Sequence, residues 1–210
     1  EVLNDNSVTV LELVPSFLRE LLETVEQKEY VVPLLTLRWL MITGEAFPPD
    51  LAIRWMQLYP DIPLINAYGP TECSDDVTHH VITDKVPDDA TTISIGKAID
   101  NTRLYILDKY LQPVPVGIAG QLYVGGIGVG RGYLNAPAKT SEVFIPDLFT
   151  EQPGQRLYNT GDIAVYQPDG SINFKGREDF QVKVRGHRIE LEEIENTLLA
   201  QPEVIKAAVT

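Results

Sequence analysis

The sequence predicts an α/β protein, with a mixed α/β layer over residues 1–76 and a β-rich section from Val77 onward. Two observations carry that expectation. Through the first third, short apolar runs alternate with segments of helical period, the pattern of strands covered by helices. Beyond Val77, short apolar runs are separated by Pro, Gly, Asp and Asn, which mark turns between strands. At 210 residues the chain is long enough to bury a core.

Taken in order, Val8 to Leu13 alternates as a strand. Pro15 then sits where the first helical turn tolerates proline, and Phe17, Leu18, Leu21, Leu22 and Val25 share a helix face. Leu37 to Thr43 reads as a buried strand ending at Gly44-Glu45. Pro48-Pro49 opens a helix running to Tyr59, with Leu51, Ile53, Trp55, Met56 and Leu58 as its apolar bulk. Pro63-Leu64-Ile65 is a buried strand leading into a turn from Asn66 to Glu72. Further strands are expected at Val77 to Ile82, Leu104 to Leu107, Gln121 to Val124 and Gln181 to Val184. Two more flank the Pro168-Asp169-Gly170 turn between Arg156 and Phe174. Helices are expected at Ala136 to Phe144 and Glu190 to Leu199, and Val204 to Val209 begins another strand. Both ends fall inside strand patterns, so the chain is expected to be a portion of something longer.

Composition narrows the function classes. Hydrophobic residues make up 44% and charged residues 22%, ordinary for a globular protein. A net charge of −13 argues against a nucleic-acid surface and disfavours an anionic membrane. No apolar run approaches the roughly twenty residues of a membrane span. The single cysteine, Cys73, precludes an internal disulfide and fits a cytoplasmic setting.

Chemistry concentrates in a few stretches. In Asn66-Ala-Tyr-Gly-Pro-Thr-Glu72, Tyr68 could stack on a flat ring, Thr71 could bond a phosphate and Glu72 could hold a magnesium ion. The same residues also suit a plain turn. Tyr158-Asn-Thr-Gly-Asp162 closes a strand with an acid able to accept both hydroxyls of a ribose, or to satisfy its own turn. Arg177 could neutralise a phosphate or form a surface ion pair. Gly125 to Gly132 fits neither a dinucleotide register nor a P-loop, and reads as packing geometry. Cys73, His79, His80 and His187 lack metal-ligand spacing.

Four segments in series, Asn66 to Glu72, Gly120 to Leu134, Tyr158 to Asp162 and Gly176 to Glu195, resemble the successive signatures of adenylation domains of nonribosomal peptide synthetases. Those domains are adenylate-forming enzymes, related to acyl-CoA ligases and luciferases. The resemblance spans essentially the whole chain, and the wording Lys183-Val-Arg-Gly-His-Arg-Ile-Glu190 is similar to the peptide-synthetase branch.

The resemblance implies a partial adenylate-forming fold. Residues 1–178 would be the later part of the large core, and 179–210 the start of a small α+β C-terminal subdomain. It implies that Gly44, Glu45 and Ala46 lie beside an adenine, with Asn66, Ala67 and Tyr68 forming its wall, Tyr68 stacking, and Gly69 also at the nucleotide. Thr71 would contact phosphate, Glu72 would bind Mg2+, Asp162 the ribose, and Arg177 ribose and phosphate. Asp179 would be the hinge, and Lys183 would reach the nucleotide from just beyond it. Glu12, Met41, Thr43, Ala67, Asp75 and Asp76 would line the substrate side-chain pocket, where three acids favour a polar or cationic group. The implied activity forms an aminoacyl adenylate from ATP and an amino acid, leaving AMP when the acyl group passes to the phosphopantetheine of a peptidyl carrier domain. A condensation domain is the other expected neighbour.

The family's Ser/Thr/Gly-rich phosphate loop, its upstream amino-binding acid and its late lysine are not found in this chain, so the isolated chain is expected to be inactive. Gln121 stands where the family usually has Glu. Two other readings fit the same residues: a non-catalytic module that keeps the nucleotide face for binding or docking, and a relative of the acyl- or aryl-acid CoA ligases.

Overall fold

The structure, a computed structural model, describes residues 2–83, 86–87, 90–179, 181–201, 204 and 206–209. The elements in chain order are α1 (Val2–Asp5), β1 (Val10–Leu13), α2 (Pro15–Glu26), β2 (Trp39–Ile42), α3 (Pro49–Leu58), β3 (Leu64–Tyr68) and β4 (Thr78–Ile82). Then come β5 (Lys97–Ala98), β6 (Thr102–Leu107), β7 (Ala119–Gly126), α4 (Pro137–Val143), β8 (Phe144–Pro146), β9 (Arg156–Tyr166) and β10 (Ile172–Arg177). The described chain closes with β11 (Val182–Val184), β12 (His187–Ile189) and α5 (Leu191–Leu199).

The first sheet has the order β1-β2-β3-β4-β5. Its first three strands run parallel, β4 pairs antiparallel with β3, and β5 antiparallel with β4. Parallel neighbours need a crossover, and α2 and α3 supply it. Their buried residues Leu18, Leu22 and Val25, and Leu51, Ala52 and Trp55, pack on Leu40, Ile42, Leu64 and Ile82 of the sheet. Trp55 is fully buried, and its indole N–H donates to the Ile62 carbonyl at 2.9 Å, so no polar atom is stranded there. Phe17, expected on the core face of α2, is 58% exposed, because the face that meets the sheet is the Leu18–Leu22–Val25 stripe.

The second sheet is antiparallel, in the order β10-β9-β7-β6 with β8 on β9. Its inward residues Ile106, Leu122, Ala164 and Ile172 form a separate core that reaches Tyr68 of the first sheet. A backbone bridge between Gly96 and Ile172 joins the sheets at one corner. The β11–β12 hairpin is a third, two-stranded sheet.

Two expectations change. Asn66 to Tyr68 is the end of β3 rather than a turn, because these residues pair in register with Thr78, His79 and His80. Asp162 does not close a strand: it lies within the 11-residue β9. In the Val204 to Val209 stretch no strand occurs among the described residues, and residue 205 lies outside them. The short strands β5, β8 and β12 were not legible as separate runs, since two or three residues carry no period.

Candidate functional site

A cavity of about 280 Å³ opens at the carboxyl ends of β2 and β3, where ligands gather in sheets of this kind. From the first sheet it is lined by Gly44, Glu45 and Ala46 after β2, and by Asn66, Ala67, Tyr68 and Gly69 along and after β3. Asp162 of β9 and Arg177 of β10 face it from the second sheet, and Lys183 of β11 from the hairpin. These ten expected residues, distant in sequence, share one cleft.

Tyr68 is fixed by its hydroxyl, which donates to Asp162 Oδ2. Asp162 Oδ1 accepts from Arg177 Nη1 at 2.8 Å, and the same nitrogen reaches the Thr160 carbonyl at 3.1 Å. The rest of the guanidinium forks onto Asp179, with Nε to Oδ1 at 2.6 Å and Nη2 to Oδ2 at 2.5 Å. One arginine therefore connects the acid inside the cleft to the acid expected at the hinge.

A bulge aims Asp162. Gln121 pairs with Ile163 and Tyr123 with Asn159, so a step of two along β7 meets a step of four along β9. Gly161 sits in that bulge at φ +73°, and a Cβ there would stand 2.7 Å from Arg177 Nη2. Glycine is thus required both for the backbone angle and for the arginine's approach. The Thr160 hydroxyl donates to the Leu122 carbonyl at 2.8 Å and accepts the Asp162 N–H at 3.0 Å, tying the bulge to β7.

Burial raises the Asp162 carboxyl above its ordinary range, against the pull of the Tyr68 hydroxyl and the Arg177 and Lys183 charges. Burial, then the Asp162 charge, pushes the Tyr68 phenol well up, so it stays a donor. The buried Cys73 thiol is pushed up to about 12 by burial and then by Glu72, so it is not a nucleophile.

Six further lining residues escaped the sequence reading: Phe47, Thr92, Ile93, Ile95, Phe174 and Gln181. Phe174 could have been suspected as an aromatic three residues before Arg177; its ring centroid stands 6.4 Å from that of Tyr68. Ile93 and Ile95 carry no signal of their own. Their loop is placed by Asn66, whose buried amide donates to the Ser94 carbonyl at 2.8 Å.

Other expected residues lie outside this cavity. Thr71 is exposed on a short 3-10 turn, and Glu72 beside it accepts the Tyr133 hydroxyl at 2.6 Å. The glycine-rich stretch packs on that turn: the Gly130 N–H donates to the Glu72 carbonyl at 2.8 Å, and Cβ atoms at Gly128 or Gly130 would stand 2.8 Å from backbone oxygens. Asp179 lines a second hollow of about 320 Å³ with Tyr133, Lys139 and Tyr158.

Glu12, Asp75 and Asp76 gather with carboxyl oxygens within 4.8 Å of one another. The register pairing of Glu12 with Met41, and the Thr43 hydroxyl 3.5 Å from Asp76 Oδ1, put these residues on the sheet face opposite α2 and α3. His79 Nε2 lies 3.0 Å from Asp76 Oδ2. Burial first, then the neighbouring acids, raises the Glu12 carboxyl.

Against this geometry, the pattern described as AMP-binding enzyme matches residues 1–134, well over half of the chain. The chain belongs to the AMP-binding enzyme family. Indigoidine synthase of Dickeya dadantii (strain 3937) is 44% identical over 211 residues, covering all of this chain and 14% of the synthase. Bacitracin synthase 1 of Bacillus licheniformis is 41% identical over 212 residues, again covering the whole chain and 4% of that synthase. The chain thus spans a small fraction of the curated relatives it matches. Among solved structures, holo-PA1221, a nonribosomal peptide synthetase protein containing adenylation and PCP domains bound to a vinylsulfonamide inhibitor, superposes with a TM-score of 0.85 at 31% identity. That match covers 97% of this chain and 34% of the other. The synthetase FmoA3 in its α-methyl-L-serine-AMP bound form gives a TM-score of 0.74 at 37% identity, covering 84% of this chain and 20% of that one. The mixed α/β architecture of the chain matches part of the adenylation-domain fold of these solved synthetase structures.

Proposed function

We propose that the chain is part of an amino-acid-activating adenylation domain in nonribosomal peptide synthesis, a cytoplasmic process. One observation carries the reading. Tyr68, Asp162, Arg177 and Lys183 converge from three sheets on one slot with apolar walls, which suits a nucleoside with an anionic tail. The acid would accept ribose hydroxyls, the aromatic rings would flank the base, and the cations would meet the phosphate.

In the reaction, a substrate carboxylate oxygen attacks the α-phosphorus of ATP. The bond to pyrophosphate breaks, leaving an aminoacyl adenylate. The thiol of a carrier-domain phosphopantetheine then attacks the acyl carbon, loses its proton and releases AMP. Positioning and charge neutralisation do most of the work in such transfers. Glu72 and Thr71 would hold Mg2+ and phosphate. Glu72 is a single carboxylate steadied by the Tyr133 hydroxyl, which suits an ion that takes few protein ligands and fills its shell with phosphate oxygens and water. When bound, Mg2+ would neutralise phosphate charge.

The large core would end at residue 178, with Asp179 as the hinge to the small subdomain. Glu12, Met41, Thr43, Ala67, Asp75 and Asp76 would form the side-chain pocket, and its three clustered acids favour a cationic or polar amino acid. A carrier domain and a condensation domain would be the partners.

Calorimetric titration of the chain with AMP tests the reading. Asp162→Ala is expected to weaken binding by about tenfold or more, the worth of lost charge-assisted bonds. AMP affinity unchanged by that substitution would sink it. On the synthetase that carries the chain, amino-acid-dependent pyrophosphate exchange reads the substrate.

A further inference from the structure

Strands β11 and β12 have three residues each and pair with one another. A lone two-stranded hairpin is marginally stable in water. Its tip is Arg185-Gly186, both at positive φ (51° and 77°), as a two-residue hairpin turn requires. Gly186 directs its N–H away from the hairpin to Glu45 Oε1, at 2.6 Å across 141 positions of sequence.

The Glu45 carboxylate has a second engagement. Oε2 accepts the Ser16 N–H at 3.2 Å, and Oε1 accepts the Ser16 hydroxyl at the same distance. Ser16 lies in the first turn of α2, whose N-cap, Val14, has no side-chain acceptor to offer. Glu45 supplies from the β2–α3 loop the acceptor that Val14 lacks, and its negative charge suits that helix end. Contact is also close without hydrogen bonds: a Cβ on Gly186 would stand 2.7 Å from Val14 Cγ1.

We propose that Glu45 is a clasp, a positioning residue that fastens the hairpin tip to the β1–α2 junction at the cavity mouth and so sets where Lys183 stands. Glu45 and Lys183 line the same cleft, and the clasp links the first sheet to the hairpin that bears the lysine. The Glu45 carboxylate, placed by resemblance beside an adenine, is engaged with two backbone N–H groups and a hydroxyl. The clasp does not depend on what the cavity holds, so it can fail without the nucleotide reading failing, and the reverse.

Amide hydrogen exchange on the chain, read by mass spectrometry without nucleotide, tests it. In Glu45→Ala, peptides spanning residues 182–189 are expected to exchange about tenfold faster, with α3 unchanged. Glu45→Gln keeps an acceptor oxygen and should retain most of the protection, a rescue that a purely structural role in the core would not produce. Hairpin exchange that Glu45→Ala leaves unchanged, or accelerates no more than in α3, overturns the proposal. Should Glu45→Ala fail to fold, Gly186→Ala provides the second arm. It should loosen the hairpin, and adding Val14→Ala should restore part of the protection, because the backbone strain is common to both variants and only the contact differs. No restoration would overturn the clasp.

Discussion

In the first sheet the cavity residues stand mainly where strands end; in the second, Asp162 and Phe174 stand inside strands and only Arg177 ends one. Gly44 to Ala46 leave β2 and Gly69 leaves β3, at the carboxyl edge that a parallel layer presents to ligands. Asp162 lies in the middle of β9 and Phe174 within β10, and both strands are irregular there. The parallel layer makes its share of the site by stopping, whereas the antiparallel sheet carries Asp162 where its ladder is broken. The first route needs only the α2 and α3 core to hold the strand ends; the second needs a glycine in the bulge and partners on both sides of the acid.

Three substitutions break or sharpen that contrast. The largest effect is expected from Trp55→Ala, which empties the helix-on-sheet core and removes the bond to the Ile62 carbonyl. It should cost about 3–5 kcal/mol in urea denaturation. A loss below about 1 kcal/mol would mean that the strand ends do not depend on that core.

Tyr68→Phe comes next. It removes the hydroxyl that ties β3 to the bulged β9, and leaves Asp162 Oδ2 without that donor. A loss of about 1–3 kcal/mol is expected. Unchanged stability would show that the two halves of the site are held together by other contacts.

The smallest effect is a slope rather than a midpoint. Burial first, with Asp75 adding, holds the Asp76 carboxyl above its ordinary range despite the His79 and Thr43 bonds. Between the unfolded value and that raised folded value, the native chain keeps a proton that the unfolded chain has lost. Stability from this group is therefore greatest below the ordinary carboxylate range and falls as pH rises through the window. Asp76→Asn should flatten that slope in thermal melts taken from acid to neutral pH. A slope equal to the parent's would remove Asp76 from the pH dependence.

Gln121 shows how the bulged region depends on chemistry that strand periodicity does not record. Its amide donates to Glu178, and its carbonyl accepts the Tyr123 hydroxyl at 2.9 Å. A glutamate at that position would set two carboxylates against each other.

The elements from β1 to β3 were legible because each follows a local rule: apolar period, proline at a helix start, glycine after a strand. Leu18, Leu22, Leu51 and Trp55 fall on their core faces as that period requires. The motif residues Tyr68, Asp162 and Arg177 could be singled out as types suited to a nucleotide. Neither rule could extend β3 through Tyr68, because that depends on pairing with β4, ten or more positions away. Nor could any local pattern put Asp162 on a bulge, bring Ile93 and Ile95 to the wall, or turn Glu45 toward Gly186. Those placements follow from long-range backbone pairing and from where donors lacking a local partner find an acceptor, and both exist only once the chain has closed on itself.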